Sequence, residues 1–296
     1  MSIKKYLDKF PSFDNKTIIV TGANSGVGFE LCRHLLYKNA NVVMACRNMK
    51  RANDARNKLV EEYPSANIEI LEYDQSSLKS VKNASDVIKD KYHDFYGLVC
   101  NAGILGPIEK GVMTENGFPI TIGTNYLGLL YLYENLKYLL DESTITRKVI
   151  FQGSIAADLK IPKGMDLLDD QESQWTKYNL SKKCVECLYK YTSINNKNEK
   201  VAFILSEPGV SKTSLFNSMN GFLKVVGGFF IRVFSHTPKK ASLTMFRCLI
   251  EDTKNGDVYL PRGLSRVRGY PKKFPFKEKR YDEAYIKRGY QCLKLK

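Results

Sequence analysis

A chain of 296 residues that is 43% apolar can bury one large core, at the upper end of single-domain size. Its first sixteen residues, MSIKKYLDKFPSFDNK, mix charges with isolated apolar side chains, which excludes a secretory signal or membrane span there and leads us to expect a cytoplasmic protein. Seven cysteines, odd in number and irregularly spaced, exclude a disulfide framework, and the net charge of +15 is uneven: residues 262–296 hold twelve Lys and Arg against three acids.

From residue 17 to 207, short β-branched runs alternate with longer amphipathic segments, the pattern of a parallel sheet wrapped by helices. TIIVT, NVVMA, IEILE, YGLVC, KVIFQ and VAFIL read as six strands, with helices near 26–39, 49–63, 76–91, 121–140 and 174–195. Right-handed crossovers order the strands 3-2-1-4-5-6 and leave a crevice beyond their C-terminal ends. The fold class is therefore α/β: a doubly wound parallel sheet of the Rossmann type, three layers deep, in a single domain. The cluster GFLKVVGGFFIRVF within residues 211–234 falls outside the strand pattern and reads as a core helix, a lid over a lipophilic substrate, or a membrane-surface contact. The basic C-terminal tail, about 262–296, reads most simply as solvated, with peripheral contact to an anionic membrane or acidic partner as the alternative. No nucleic-acid partner is expected.

The first strand runs into TGANSGVG, where Gly22, Gly26 and Gly28 open a helix together with Asn24, Ser25 and Val27. Glycines here permit unusual backbone angles and close approach to a pyrophosphate, and the helix N-terminus supplies N–H donors and positive dipole. The second strand ends in Cys46-Arg47, where an acid would bind the ribose 2′-hydroxyl of NADH. Arg47 in place of that acid accommodates a 2′-phosphate, so the cofactor expected is NADP, used as NADPH.

Asn101-Ala102-Gly103 follows the fourth strand, Asn125 lies in the fourth helix, Ser154 ends the fifth strand, and Tyr178 and Lys182 share one face of the next helix at i and i+4. Tyr133/Lys137 and Tyr290/Lys294 have the same separation, but only Tyr178/Lys182 stands between a Ser-ended strand and a following strand. Cys184 and Cys187, inside a predicted helix with no second pair and no nearby histidine, do not make a metal site, and no metal is expected. His34, His93 and His236 pair with no acid and nucleophile, which argues against a hydrolase triad.

In chain order, TGANSGVG, Asp74 in YDQSS, NAG, Asn125 in TNYLG, Ser154 in FQGS, YNLSK and PGVSKT resemble the short-chain dehydrogenase/reductase family over roughly residues 15–260. The pattern ACRN and the long stretch between Ser154 and Tyr178 look like its retinol dehydrogenase and protochlorophyllide reductase branch. Gly153-Ser154 departs from the Ser-Ser of many relatives, and the N-terminal membrane segment of many retinol-type members is missing.

The resemblance implies an NADPH-dependent transfer of hydride between nicotinamide and a carbonyl or alcohol substrate, with four residues as the catalytic set. Tyr178 would be the general acid/base, and Lys182 would lower its pKa and hold the nicotinamide ribose. Ser154 would hydrogen-bond the substrate oxygen, and Asn125 would anchor a water-linked proton relay. Asp74 would contact adenine, Asn101 with Ala102 and Gly103 the adjacent ribose region, and Pro208, Gly209, Val210 and Thr213 the nicotinamide, Thr213 at its carboxamide. A phenol near pKa 10 with a cation beside it is expected to shift down by roughly 1 to 3 units. Relatives pair through the fourth and fifth helices, which implies a homodimer or larger assembly, although a long tail and apolar lid also accompany monomers. The competing reading is a catalytically silent NADPH-binding module.

Overall fold

The structure, a computed structural model, describes residues 1–162, 165–209, 237–263 and 266–294. The 211–234 segment, with Val210, Thr213 and His236, lies outside the described residues.

The expected six strands are present, with the expected order: β1 (Thr17–Thr21), β2 (Asn41–Cys46), β3 (Ile68–Glu72), β4 (Gly97–Cys100), β5 (Arg147–Gln152) and β6 (Val201–Ser206). The sheet continues through β7 (Val258–Pro261), parallel to β6, and β8 (Pro271–Phe274), antiparallel to β7, in the order 3-2-1-4-5-6-7-8. Its central strands are apolar on both faces because both are covered. Ile19, Val43, Leu98, Val149 and Phe203 face α4 (Leu78–Lys91), α6 (Gly128–Asp141) and α7 (Gln174–Asn195). Their neighbours Ile18, Val20, Val42, Met44, Ile150 and Ile204 face α1 (Ile3–Leu7), α2 (Gly26–Tyr37) and α3 (Met49–Glu62). That second layer also contains α8 (Pro238–Ala241) and α9 (Leu243–Cys248). Side-chain caps start three helices on cue, since Asn48, Ser77 and Ser173 accept the N–H groups of Arg51, Ser80 and Thr176.

Two expectations need correction. The helix anticipated over 121–140 is broken into α5 (Ile120–Ile122), a π turn (Gly123–Leu127) and α6. The widened turn begins at Gly123 and hands over to α6 at Gly128, which lies against the chain leaving β3: a Cβ at Gly128 would stand 1.9 Å from the Gln75 carbonyl oxygen. The basic C-terminal segment is not simply solvated. It contributes β8, a 3-10 turn (Glu278–Arg280) and α10 (Glu283–Lys294), whose Ile286, Gly289 and Cys292 are buried. α10 lies against α7 and the π turn, where Tyr126 donates its hydroxyl to the Tyr285 carbonyl at 2.7 Å. Charge counting concealed this amphipathic pattern, in which lysines and arginines alternate with the apolar residues that anchor the segment.

One buried charge makes stability depend on pH. Lys148 on β5 is enclosed, and its ammonium donates to the Ile250 carbonyl and to Thr253 Oγ1, with no carboxylate among its hydrogen-bond partners in the described residues. Burial pushes its pKa down to about 8. Because the folded value lies below the unfolded one, the cost of holding the ammonium is fully present below pH 8 and is relieved as pH rises toward the unfolded value. Wild type should therefore gain about 2 kcal/mol over Lys148→Met between pH 7 and pH 9.5 in urea unfolding. A pH-independent difference between the two would refute the assignment.

Candidate active site

The C-terminal ends of the strands open onto one cavity of about 630 Å³. Its floor is the turn after β1, where Gly22 (φ +65) and Gly26 (φ +58) take left-handed angles that disfavour any side chain. Gly28 is needed for a different reason: a Cβ there would lie 2.6 Å from both the Gly22 carbonyl oxygen and Asn101 Nδ2. Asn101 donates from that amide to the Thr21 carbonyl at 2.8 Å, and the Asn101 and Ala102 N–H groups both donate to Thr21 Oγ1. The ends of β1 and β4 are thus laced together through the NAG segment. Ser25 heads α2 without a side-chain capping hydrogen bond, so the helix N-terminus presents its N–H groups to the cavity beside Asn24, Ser25 and Val27. A cradle this tightly stripped of side chains fits a dinucleotide pyrophosphate.

At one end of the cavity stand Arg47, Asn48 and Arg51. Arg47, two-thirds exposed, lies 4.0 Å from an Asp74 oxygen. Asp74 is held by the Ser76 backbone and hydroxyl, at 2.9 and 2.6 Å. Arg51 was not singled out from the sequence, although it lies in the first turn of α3, shortly after Arg47; its signal was an arginine opening the helix that follows a strand ending without an acid.

At the other end Ser154, Tyr178, Lys182, Pro208 and Gly209 converge, with Asn101, Ala102 and Gly103 between the two. Ser154 caps a 3-10 turn (Ile155–Asp158), its Oγ accepting the Ala156 N–H at 3.2 Å. Tyr178 packs with Leu105, Ala156 and Trp175, the Trp175 ring standing edge-on at 6.3 Å. Trp175, the single tryptophan, precedes Tyr178 by three residues on the same helix, a spacing from which its place in the cavity could have been read.

Lys182 Nζ donates to the Gln152 carbonyl at 3.0 Å and lies 6.0 Å from the Tyr178 ring centre. The expectation that Lys182 holds the phenol pKa down is not met: burial pushes Tyr178 up to about 12, opposed by a hydrogen bond with Ser154. Burial likewise pulls Lys182 down to about 8, opposed by the nearby Glu186 charge. Desolvation is the leading cause of the shift in both groups.

Asn125 alone of the catalytic set does not line the cavity. Its side chain sits in the π turn, where Oδ1 accepts the Ile104 N–H and Nδ2 donates to the Ile104 carbonyl and to Ser181 Oγ, all at 2.8 to 2.9 Å. It therefore ties the loop after β4 to α7, one residue before Lys182.

The short chain dehydrogenase family model matches residues 16–223. The WW domain-containing oxidoreductase of Gallus gallus is 37% identical over 177 residues, 57% of this chain and 42% of that protein, so the chain spans less than half the length of that relative. Retinol dehydrogenase 13 of Homo sapiens is 30% identical over 208 residues, 68% of this chain and 60% of its own. A solved structure of an uncharacterized protein from Mycobacterium Paratuberculosis shares the fold across 97% of both chains, with a TM-score of 0.74 at 22% identity. With the cradle, the strand order and the matched 16–223 region in agreement, the chain belongs to the short-chain dehydrogenase/reductase family of nucleotide-binding Rossmann oxidoreductases.

Proposed function

We propose that the chain is an NADPH-dependent oxidoreductase that interconverts a carbonyl and an alcohol in a lipophilic small molecule. The observation that carries this reading is the convergence of Ser154, Tyr178 and Lys182 on the same cavity as the glycine cradle. The nicotinamide cofactor, when bound, supplies or accepts the hydride. Gly22, Asn24, Ser25, Gly26, Val27 and Gly28 would hold its pyrophosphate, Asp74 and Asn101 to Gly103 its adenosine side, and Lys182 with Pro208 and Gly209 its nicotinamide side. Ser154 donates a hydrogen bond to the substrate oxygen, and Tyr178 gives that oxygen its proton as negative charge develops there. Asn125 acts by holding α7 and the loop after β4, which fixes where Lys182 stands. A silent binding module would gain support from a displaced catalytic side chain; Ser154, Tyr178 and Lys182 all reach the cavity.

The preference for NADPH rests on two guanidinium groups, Arg47 and Arg51, at the end of the cavity where the second strand offers no carboxylate. Charge-assisted contacts of this kind are worth about 1.5–3 kcal/mol each. Arg47→Asp should accordingly raise KM for NADPH at least 10-fold while KM for NADH stays within about 2-fold, and Arg51→Ala should weaken NADPH in the same direction. An unchanged ratio of the two cofactors in both variants would remove the argument.

A lipophilic substrate is supported by Ile155, Leu159 and Trp175 around the chemical end, and by the similarity to retinol dehydrogenase 13. A cytoplasmic location is part of the proposal, and the seven buried thiols support it in that they suit a reducing compartment. Among the described residues no helix is long and apolar enough to cross a membrane. The single-copy alternative is favoured over pairing through α6 and α7, because α10 lies on α7 and Tyr290 donates to Glu134 of α6 at 2.5 Å. The decisive assay is cofactor consumption across aliphatic aldehydes, retinal, steroid ketones and quinones, with NADPH and NADH in parallel. No turnover on any of them with either cofactor would count against the reading.

A further inference from the structure

Beside the cavity, outside its lining, three carboxylates from three elements meet one arginine from the C-terminal segment. Arg280 is buried, as are Glu186 on α7 and Glu207 at the exit of β6, while Asp158 ends the 3-10 turn that starts at Ser154. Arg280 donates from Nε and Nη2 to the two Asp158 oxygens at 2.7 and 2.6 Å, and from Nη1 to Glu186 at 2.7 Å and Glu207 at 2.6 Å. Lys277 also pairs with Asp158. The remaining Glu186 oxygen, Oε1, accepts the backbone N–H of Ser154 at 3.4 Å.

We propose that Arg280 is a positioning residue for Ser154, holding both ends of the short turn that carries it. One end of the turn is held through Asp158 and the other through Glu186. The inference rests on the reading of Ser154 as the partner of the substrate oxygen, and it extends that reading to the C-terminal segment.

Three further observations bear on it. Gly153 has no room for a side chain, since a Cβ would lie 2.9 Å from Glu186 Oε1 and 3.3 Å from Glu207 Cγ. A glycine before Ser154 is thus what the buried carboxylates require. Cys187, one residue after Glu186, donates its thiol to the Arg280 carbonyl at 3.2 Å and accepts the Asp282 N–H at 3.3 Å, so the backbone carrying Arg280 is pinned to α7. Burial pushes both glutamate carboxyls up in pKa, and the Arg280 guanidinium opposes that shift in each. Lysine could not replace it, because a single ammonium lacks the planar fork that reaches three carboxylates at once.

The test compares Asp158→Asn, Arg280→Met and Arg280→Lys in the full chain. Asp158→Asn leaves Arg280 with both buried glutamates and is expected to fold; Arg280→Met strands them and serves only if it folds. Hydrogen–deuterium exchange should quicken at least 10-fold for peptides covering residues 153–159 in Asp158→Asn, with peptides covering residues 22–28 unchanged. NADPH affinity should stay within 2-fold. On the best carbonyl substrate found in the panel above, kcat should fall about 10-fold with KM little altered, and Arg280→Lys should recover only part of what Arg280→Met loses. Wild-type exchange at 153–159 in folded Asp158→Asn overturns the inference, whatever the activity. Full activity in Tyr178→Phe would instead overturn the proposed function and leave the exchange result standing.

Discussion

Tyr178→Phe should lower kcat about 1,000-fold while NADPH affinity changes less than about 3-fold, because a positioned general acid contributes about 10²–10⁴ in rate. The ring would remain where it is. The ring packs with Leu105, Ala156 and Trp175, and among the described residues the hydroxyl's hydrogen-bond partner is Ser154. Thermal stability should therefore barely move, which separates this loss from misfolding. Pre-steady-state cofactor oxidation at saturating substrate is the measurement. Turnover within 5-fold of wild type would take the proton from some other group and end the assignment.

The pH dependence of wild-type turnover has a definite sign. Reduction needs the phenol as a donor, and burial holds it protonated with a pKa up at about 12, so the Tyr178 proton is in place throughout the neutral range. The ammonium that would face the resulting phenolate is less secure, since Lys182 is pulled down to about 8. Reduction should be flat from pH 6 to about 7.5 and decline above pH 8 as Lys182 loses its proton. The reverse reaction needs a phenolate, which a raised pKa disfavours, so it should be the slower direction at pH 7 and should improve as pH rises. A falling limb near pH 8 that survives in Lys182→Met would assign it to another group.

How much of this was legible beforehand can be judged residue by residue. The strand order and the crevice followed from β-branched runs alternating with helical periodicity, and the glycines of TGANSGVG announced a cradle through their steric demands. Tyr178, Lys182 and Ser154 were legible because spacing and strand ends dictate where such side chains emerge. The environment they meet was not. The depth of burial that raises Tyr178 and lowers Lys182 depends on Leu105, Gln152 and Trp175, contributed by three separate stretches of chain. The π turn around Asn125 was invisible to a period of 3.6, because the Gln75 carbonyl that excludes a Cβ from Gly128 arrives from the loop after β3. Arg280 was counted among twelve basic residues of a tail; only tertiary contact distinguishes it from the exposed lysines around it.

Gly28→Ala should reduce NADPH affinity about 10- to 100-fold and Gly28→Val more, as cramped backbone contacts cost about 1–3 kcal/mol. The added Cβ meets the Gly22 carbonyl oxygen and the Asn101 amide, each at 2.6 Å, and neither can yield cheaply. Gly22 is locked by its left-handed angle and by its N–H bond to the Ala45 carbonyl at 2.8 Å. Asn101 is committed to the Thr21 carbonyl. Relief must therefore come from moving the turn itself, which shifts the N–H groups that face the phosphates. Gly97→Ala is the control: its Cβ would also meet an atom at 2.6 Å, but that atom is Leu249 Cδ2, the end of a core side chain away from the cavity. It should lower the melting temperature with cofactor affinity unchanged. Equal cofactor loss in the two variants, measured by fluorescence titration, would mean that affinity follows general stability and that the glycine turn is no cradle.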